Sequence, residues 1–404
     1  MKNSPFNRVT LCSLVASCVI AGAAFSVYGQ SVNNLSTDFR QPCTAGEYMI
    51  GGGNTCPKNC VGLSDFPGFD PNDLGSFSIQ QGRVPACKTY AATEFICYEL
   101  KRLKVLPSNS AFDKGCSASD LSFQYNLAWK NVDPKRRRVP IGQWAADESN
   151  HGEGANVPTA GLVVAARKFG VCPENSFPSQ WPDEKKDMFD VYSAFAKHLR
   201  ERKSLGSAFT LSKDCPECRM IAPGLTNSQW LHIDQVVDNI VNLDTDDFDV
   251  LEEINRLACP REDRVLPPAD WLADGFPIQR YDPSYDVFKD DPTRTVTTKT
   301  NFQTLWQHMS KPKAIAIAGV DVHDWWPDRF PKNSKHEVVV VGMKTIKLDA
   351  DGKIHCYFMI KNSWGSGTQH CQERKPDILC WPETGIVLVS VELLNGKNFN
   401  AYTW

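Results

Sequence analysis

The chain has 404 residues, 42% of them hydrophobic, with a formal net charge of -3. This length is enough to bury a sizeable core, in one large domain or two smaller ones. Acidic and basic residues are interspersed, which argues against the basic footprint of a nucleic-acid-binding protein. The one dense basic run, at 135–138, is predicted to be a solvated loop.

The first 29 residues are predicted to be a signal peptide. Lys2 and Arg8 precede an apolar stretch at 9–27, and small residues up to Gly29 fit cleavage before Gln30. A lipid anchor at Cys18 is an alternative, disfavoured because the apolar run continues past that cysteine. No later segment approaches the roughly 20 uninterrupted apolar residues of a membrane-spanning helix. We therefore expect a secreted or periplasmic protein without a membrane span.

Cysteine usage agrees with export. Of the 15 cysteines, Cys12 and Cys18 would leave with the signal peptide, and the remaining number is odd. Pairing in an oxidising compartment would then leave one thiol, for which Cys87 is the candidate. The span 371–380 is a plausible local bridge. The CPEC motif at 215–218 is either a redox pair, half of a zinc site or two structural half-cystines, and the lack of a second CxxC favours the last.

The N-terminal half is predicted to be helical after an irregular beginning. Residues 30–66 form a Cys-rich extension, either a short inhibitory pro-segment or a disulfide-tied structural arm. Residues 67–180 form a helical lobe. Its first helix presents one apolar face at helical spacing, and a second helix ends at Gly170. The residues of that first apolar face are Ala92, Phe95, Ile96, Leu100 and Leu103.

The C-terminal half changes from a helical to a strand pattern. Residues 181–295 are charged, mainly helical in pattern, and predicted to be an insertion packed on the main body. Residues 296–404 contain β-rich runs such as HEVVVVGM and CYFMIKNSW, with a tight-turn signal at Asp351-Gly352 between those two. Helices followed by an antiparallel sheet predict an α+β fold in two packed halves.

Cys87 lies where the sequence predicts the start of an uncapped helix. A thiol attacks well only as the thiolate, and both a helix N-terminus and a nearby imidazolium lower the pKa of a thiol. His336 heads the most apolar predicted strand and is the candidate base. Asn362 can accept the imidazole N–H and orient the ring, with Trp364 shielding that hydrogen bond. Gln81, six residues before Cys87, can donate to an oxyanion.

Together these segments resemble the papain-like cysteine peptidases, in the form of a bacterial secreted member. The family's spacing from glutamine to nucleophile is kept in QGRVPAC at 81–87, its His strand reads like HEVVVVGM, and its KNSWG motif is present at 361–365. The resemblance implies a two-lobed papain-like fold with Cys87 as the nucleophile and His336 as the base. Asn362 would be the orienting residue and Gln81 the oxyanion donor.

The segment GEGANVPTAGLVVAARKFGVCPENSFP at 152–178 looks like the part of the family that lines the substrate cleft. Gly154 and Ala155 fall near the cleft glycines whose backbone pairs with an extended peptide, and Trp364 matches the shielding indole. The chain departs from the family at Lys88, where a Trp is usual. His336 follows Cys87 by about 250 residues, against the roughly 130–150 of the usual pattern, and the insertion accounts for most of that excess.

The sequence thus predicts a secreted cysteine peptidase, an endopeptidase acting on polypeptides through an acyl-enzyme. No metal or organic cofactor is implied, and we expect a monomer. Two alternatives remain: an inactive papain-fold protein that binds peptides, and a transamidase or deamidase using the same triad. Glu337 is interpreted as an exposed residue rather than a wall of a pocket for basic side chains. The preferred residue beside the scissile bond, the disulfide pairing and endopeptidase versus exopeptidase character are left open.

Overall fold

A computed structural model describes the chain in segments. These are residues 86–107, 110–132, 141, 159–181, 186–268, 271, 305, 309, 315–328, 330, 332, 334–347, 354–363, 378–381, 386–390, 393 and 400–402. The fold, the contacts and the absences below concern these residues alone. The predicted signal peptide, the extension at 30–66 and the hairpin turn at Asp351-Gly352 lie outside them.

Helices occupy the N-terminal and middle parts of the described chain, as expected. The α-helices are α1 (Cys87–Arg102), α2 (Ala118–Val132), α3 (Thr159–Phe169), α4 (Met188–Leu205), α5 (Leu211–Asp214), α6 (Pro216–Ile221), α7 (Asn227–Asn239) and α8 (Leu243–Ala258). Short 3-10 turns follow at Ser110–Phe112, Gly206–Ala208 and Arg261–Asp263. Along this part of the chain, no helix is both long and apolar enough to cross a membrane.

The C-terminal part forms one antiparallel sheet. Its strands are β1 (Ala316–Asp321), β2 (Lys335–Lys347), β3 (Ile354–Lys361), β4 (Ile378–Trp381), β5 (Ile386–Ser390) and β6 (Asn400–Tyr402), in the spatial order β4-β5-β3-β2-β1-β6. The register of β2 against β3 shifts by one residue at Val340/Gly342. The chain is therefore an α+β protein with helices first and an antiparallel sheet last.

The sheet is covered on both faces, which explains why HEVVVVGM is continuously apolar rather than alternating. Along β2, Val339 and Val341 belong to an inner core together with residues of α1. Val338 and Val340 belong to an outer core on the opposite face, together with Trp325. Helix α1 packs directly against β2 and β1. The sheet thus lies between helix α1 and a second apolar layer.

A separate helical core joins the predicted insertion to the first helices. Trp230 of α7 and Phe195 of α4 share this core with Tyr90 of α1 and Phe123 of α2. The disulfide Cys172–Cys259 links the segment after α3 to the end of α8 across a sequence separation of 87 residues. The helices between 186 and 258 are therefore packed on the main body, while the proposed limits of the insertion stay a prediction.

The apolar face predicted for the first helix is confirmed except at its end. Ala92, Phe95, Ile96 and Leu100 are fully buried. Leu103 is exposed because the helix ends at Arg102 and Leu103 is the C-cap residue.

The second helix predicted from the sequence, which is α3, ends at Phe169 directly before Gly170, as predicted. Gly170 has a φ of +77°, which a residue with a side chain rarely adopts, and an added Cβ would lie 3.1 Å from the Val265 carbonyl oxygen.

Candidate active site

Cys87 is the first residue of α1. The N-cap is Ala86, which offers no side-chain hydrogen bond to the helix, so the expectation of an uncapped start is confirmed. The first amides of a helix lack intrahelical partners and present partial positive charge. Cys87 is half-buried and takes part in neither described disulfide. A thiolate at this position would therefore be favoured by the helix end.

The prediction that Cys87 is the one cysteine left without a disulfide is wrong for the described residues. Cys97 and Cys116 are also present as thiols, and both are buried. Burial raises the pKa of the Cys116 thiol, and hydrogen bonding with Cys97 adds to the rise. Counting cysteines could not anticipate two thiols enclosed in an apolar core. Half-buried Cys87 is the most accessible of the three.

The helix face that carries Cys87 is directed toward the sheet. Residues 87, 91 and 94 lie on one face of an α-helix because four and three residues separate them. Ala91 belongs to the inner core against β2 and β3, and the Glu94 carboxylate lies 3.9 Å from the Lys361 ammonium at the end of β3. Cys87 therefore lies about 10 Å from Glu94 along the helix, on its sheet-facing side.

His336 and Asn362 are brought together by the sheet. His336 is the second residue of β2, and Asn362 directly follows β3. Because Val339 pairs with Lys361, continuing that register places Asn362 opposite Val338, on the same face as His336. The His336 Nε2 and the Asn362 Oδ1 are 2.8 Å apart, and both residues are only 4% exposed.

This contact fixes the tautomer of the His336 ring. An amide oxygen only accepts hydrogen bonds, so Nε2 carries the proton and donates it to Asn362 Oδ1. In the neutral ring the lone pair is then on Nδ1, which is the atom that can accept a proton from a thiol. By strand alternation His336 lies on the outer face of the sheet with Val338 and Val340, whereas α1 packs on the inner face. A thiol at the start of α1 would therefore have to reach the ring around the beginning of β2.

Glu94 and Lys361 were not identified from the sequence, although both lie beside the predicted triad. Burial raises the pKa of Glu94 to about 7, and Lys361 opposes part of that rise. In the described part of the chain, the Glu94 Oε1 has no hydrogen-bond partner. The pair joins the helix that carries Cys87 to the residue preceding Asn362. A Glu on the sheet-facing side of α1 and the Lys of KNSWG were the available signals.

The interpretation of Glu337 as an exposed residue was wrong. Glu337 is 8% exposed and alternates with His336, so it lies on the inner face of the sheet with Val339. Four predicted site residues lie outside the described residues: Gln81, Gly154, Ala155 and Trp364. The structure therefore bears on Cys87, His336 and Asn362. It joins the latter two directly and packs the helix of the first against the strand of the second.

No protein-family model matches the chain, and no curated protein matches it. The resemblance to papain-like peptidases consequently rests on the sequence motifs.

Proposed function

We propose that the protein is a papain-like cysteine peptidase that hydrolyses peptide bonds through an acyl-enzyme. The observation that carries the proposal is the buried hydrogen bond between His336 and Asn362, at the beginning of the strand against which the Cys87 helix packs. A thiol at a helix start, an imidazole and an amide that orients the imidazole are the groups that nucleophilic acyl transfer requires.

The proposed reaction begins with transfer of the Cys87 proton to His336 Nδ1. The sulfur then attacks the peptide carbonyl, and the backbone N–H of Cys87 with the Gln81 amide stabilises the oxyanion. His336 donates the proton to the leaving amine and afterwards takes a proton from water, which hydrolyses the thioester. Asn362 keeps the ring oriented and supports the imidazolium by accepting the Nε2–H throughout. Water is thus the only co-substrate.

The test combines labelling with turnover. We expect an electrophilic thiol probe such as an epoxide to label the mature protein at Cys87 and to block cleavage of an unfolded protein substrate. Because Cys97 and Cys116 are also thiols, the labelled residue must be mapped by peptide mass spectrometry. Cys87→Ser and His336→Ala should abolish cleavage, and Cys97→Ser is the matched thiol control that should retain it.

Three outcomes would redirect the proposal. Cleavage that survives Cys87→Ser would overturn it. Labelling without turnover of any peptide or protein would favour an inactive peptide-binding homologue. Lys88, which stands where the family usually has a Trp, is the sequence feature that suggests this alternative. A product mass showing amide exchange or glutamine deamidation instead of chain cleavage would assign the same residues to transamidation or deamidation.

A further inference from the structure

A second cluster of reactive side chains lies far along the chain from the candidate active site, around the beginning of α6. Donor atoms of His198, Cys215 and Glu217 all lie within 4.8 Å of one another. Cys218 is bonded to Cys215 in a disulfide, so its sulfur directly adjoins this cluster. Both cysteines are at most 1% exposed. An imidazole, a carboxylate and one sulfur atom thus meet in a largely buried place, with a second sulfur bonded to the first.

His198 is oriented as a metal-binding imidazole usually is. Its Nδ1 lies 2.8 Å from Glu201 Oε2, and its Nε2 lies 3.1 Å from Glu217 Oε2. A neutral imidazole donates through one ring nitrogen and can bind a metal ion through the other. A carboxylate behind the distal ring nitrogen is the common outer partner of metal-bound histidines.

The sulfur and carboxylate donors have supporting contacts as well. The Cys218 backbone N–H donates to Cys215 Sγ at 3.1 Å, an interaction that would stabilise a thiolate there. The Lys186 ammonium lies 3.7 Å from Glu217 Oε1, while Glu217 Oε2 is directed to His198. Lys186 also supplies a positive charge beside a site that would hold two thiolates and a carboxylate.

We propose that reduction of the Cys215–Cys218 disulfide converts this cluster into a tetrahedral zinc-type site formed by Cys215, Cys218, His198 and Glu217. A dithiol supplies two electrons and two protons, which break the S–S bond and give two thiols while the dithiol becomes a disulfide. Metal binding then displaces both thiol protons. His198 binds through Nε2 and keeps its Nδ1–H on Glu201. Two thiolates, one imidazole and one carboxylate suit Zn²⁺.

The oxidised form keeps only two good donors, the His198 imidazole and the Glu217 carboxylate, because a disulfide sulfur is a poor ligand. Metal affinity at this cluster should therefore depend on the redox state of the cysteine pair. Helix α4 supplies His198, and α6 begins directly after Cys215. A bound metal would therefore hold the start of α6 in place of the disulfide and would also connect it to α4.

The experiment is a cobalt titration of the full mature chain carrying Cys87→Ala, which removes the most accessible of the described thiols. After reduction with a phosphine, we expect one equivalent of Co²⁺ to give tetrahedral ligand-field bands and thiolate charge-transfer bands, which Zn²⁺ then abolishes. The oxidised chain should show neither. His198→Gln and Glu201→Gln should weaken binding about 10–100-fold. His232→Gln, a surface imidazole paired with Glu253, is the matched control and should change nothing.

Two further measurements keep the test decisive. Reduction also opens Cys172–Cys259, so Cys172→Ala/Cys259→Ala must retain the cobalt spectrum. If Cys215→Ser/Cys218→Ser weakens the fold, thermal unfolding decides instead, since Zn²⁺ should raise the Tm of the reduced parent and not that of His198→Gln. Absence of the bands in the reduced chain, or equal bands in His198→Gln, would overturn the proposal.

Discussion

A single amide oxygen determines which nitrogen of His336 carries the proton. Asn362 is buried, and its Oδ1 accepts from His336 Nε2 at 2.8 Å. Loss of this acceptor leaves a buried N–H without its partner and frees the ring to rotate or to change tautomer. The amide therefore influences both stability and any reaction that uses Nδ1.

We predict that Asn362→Ala lowers kcat/KM for a peptide substrate by up to about 100-fold, part of the 10²–10⁴-fold that general acid–base catalysis contributes. It should also lower the free energy of unfolding by about 1–3 kcal/mol because a buried donor loses its acceptor. Steady-state kinetics and urea denaturation measure the two effects.

Asn126→Ala is the matched control for this substitution. Asn126 is a buried amide in α2 that donates to the Ser122 carbonyl oxygen at 2.8 Å. Its loss should reduce stability while leaving kcat/KM of the folded protein unchanged. Full activity of Asn362→Ala would contradict the orienting role.

At the residue scale, the candidate site was only partly predictable. His336 and Asn362 could be identified because a motif fixes Asn362 and the most apolar run fixes the strand that His336 begins. Glu94 could not be identified, because its partner Lys361 is distant in sequence and their contact depends on how α1 packs on β3. Glu337 was misjudged for a related reason, since both faces of the sheet are buried and a charged residue in β2 has no exposed side available.

At the scale of elements, the Glu94 carboxyl of α1 lies 3.9 Å from the Lys361 ammonium at the end of β3. Burial raises the pKa of Glu94 from 4.5 to about 7. Between these values the folded protein keeps the proton and the unfolded chain loses it, so the folded state binds more protons. The contribution of Glu94 to stability is therefore complete below about pH 4.5 and is lost as the pH rises toward 7.

We predict that Glu94→Gln reduces the loss of stability between pH 5 and pH 8 by about 3 kcal/mol, the order of magnitude that such a pKa shift corresponds to. Urea denaturation at the two pH values measures the difference. Glu174, whose pKa burial raises to about 8, titrates in the same direction in both proteins, so the slope decreases but does not vanish.

Glu99→Gln provides the comparison on the same helix. The Glu99 carboxylate pairs with Arg102 of the same helix at 2.6 Å. This variant keeps the contact between Glu94 and Lys361, so its comparison with Glu94→Gln isolates the part of the pH dependence that is due to Glu94. If Glu94→Gln and the parent lose equal stability between the two pH values, then the charged form of Glu94 is not disfavoured by its burial between helix and sheet.

The elements themselves were largely predictable because each is a local pattern. Ala92, Phe95 and Ile96 recur at helical spacing and are buried in α1, and Gly170 ends α3 as its position indicates. Leu103 fits the same spacing but lies beyond the helix, since periodicity does not report where hydrogen bonding ends. The spatial order of the strands and the bulge at Val340/Gly342 depend on long-range pairing, which no local pattern encodes.

At the scale of the whole molecule, a buried ion pair connects segments that are far apart in sequence. Arg264 donates from Nη2 and Nη1 to the two carboxylate oxygens of Asp120, at 2.7 and 3.0 Å. Asp120 in α2 is fully buried, and it also accepts the backbone N–H of Cys172. Asn255 of α8 donates to the same carboxylate at 2.9 Å. The network therefore ties α2 to the end of the helical region.

This connection changes how the region predicted as an insertion is understood. Its helices share a core with Tyr90 and Phe123 and are fastened by Arg264, so removing them would expose apolar residues of α1 and α2. The sequence could show that the region is helical and charged, but neither feature identifies a partner for Asp120, which is 144 positions from Arg264.

We predict that Arg264→Met lowers the free energy of unfolding by about 3–5 kcal/mol, because it leaves the Asp120 carboxylate buried without its counter-charge. The double variant Asp120→Asn/Arg264→Met should recover much of this loss, since no buried charge remains. Arg256→Met removes an arginine whose side chain is 63% exposed and paired with Glu253, and it should cost about 1 kcal/mol or less. Urea denaturation of the four proteins decides: equal losses for Arg264→Met and Arg256→Met, or a double variant no more stable than Arg264→Met, would show that the Asp120 charge is not what Arg264 compensates.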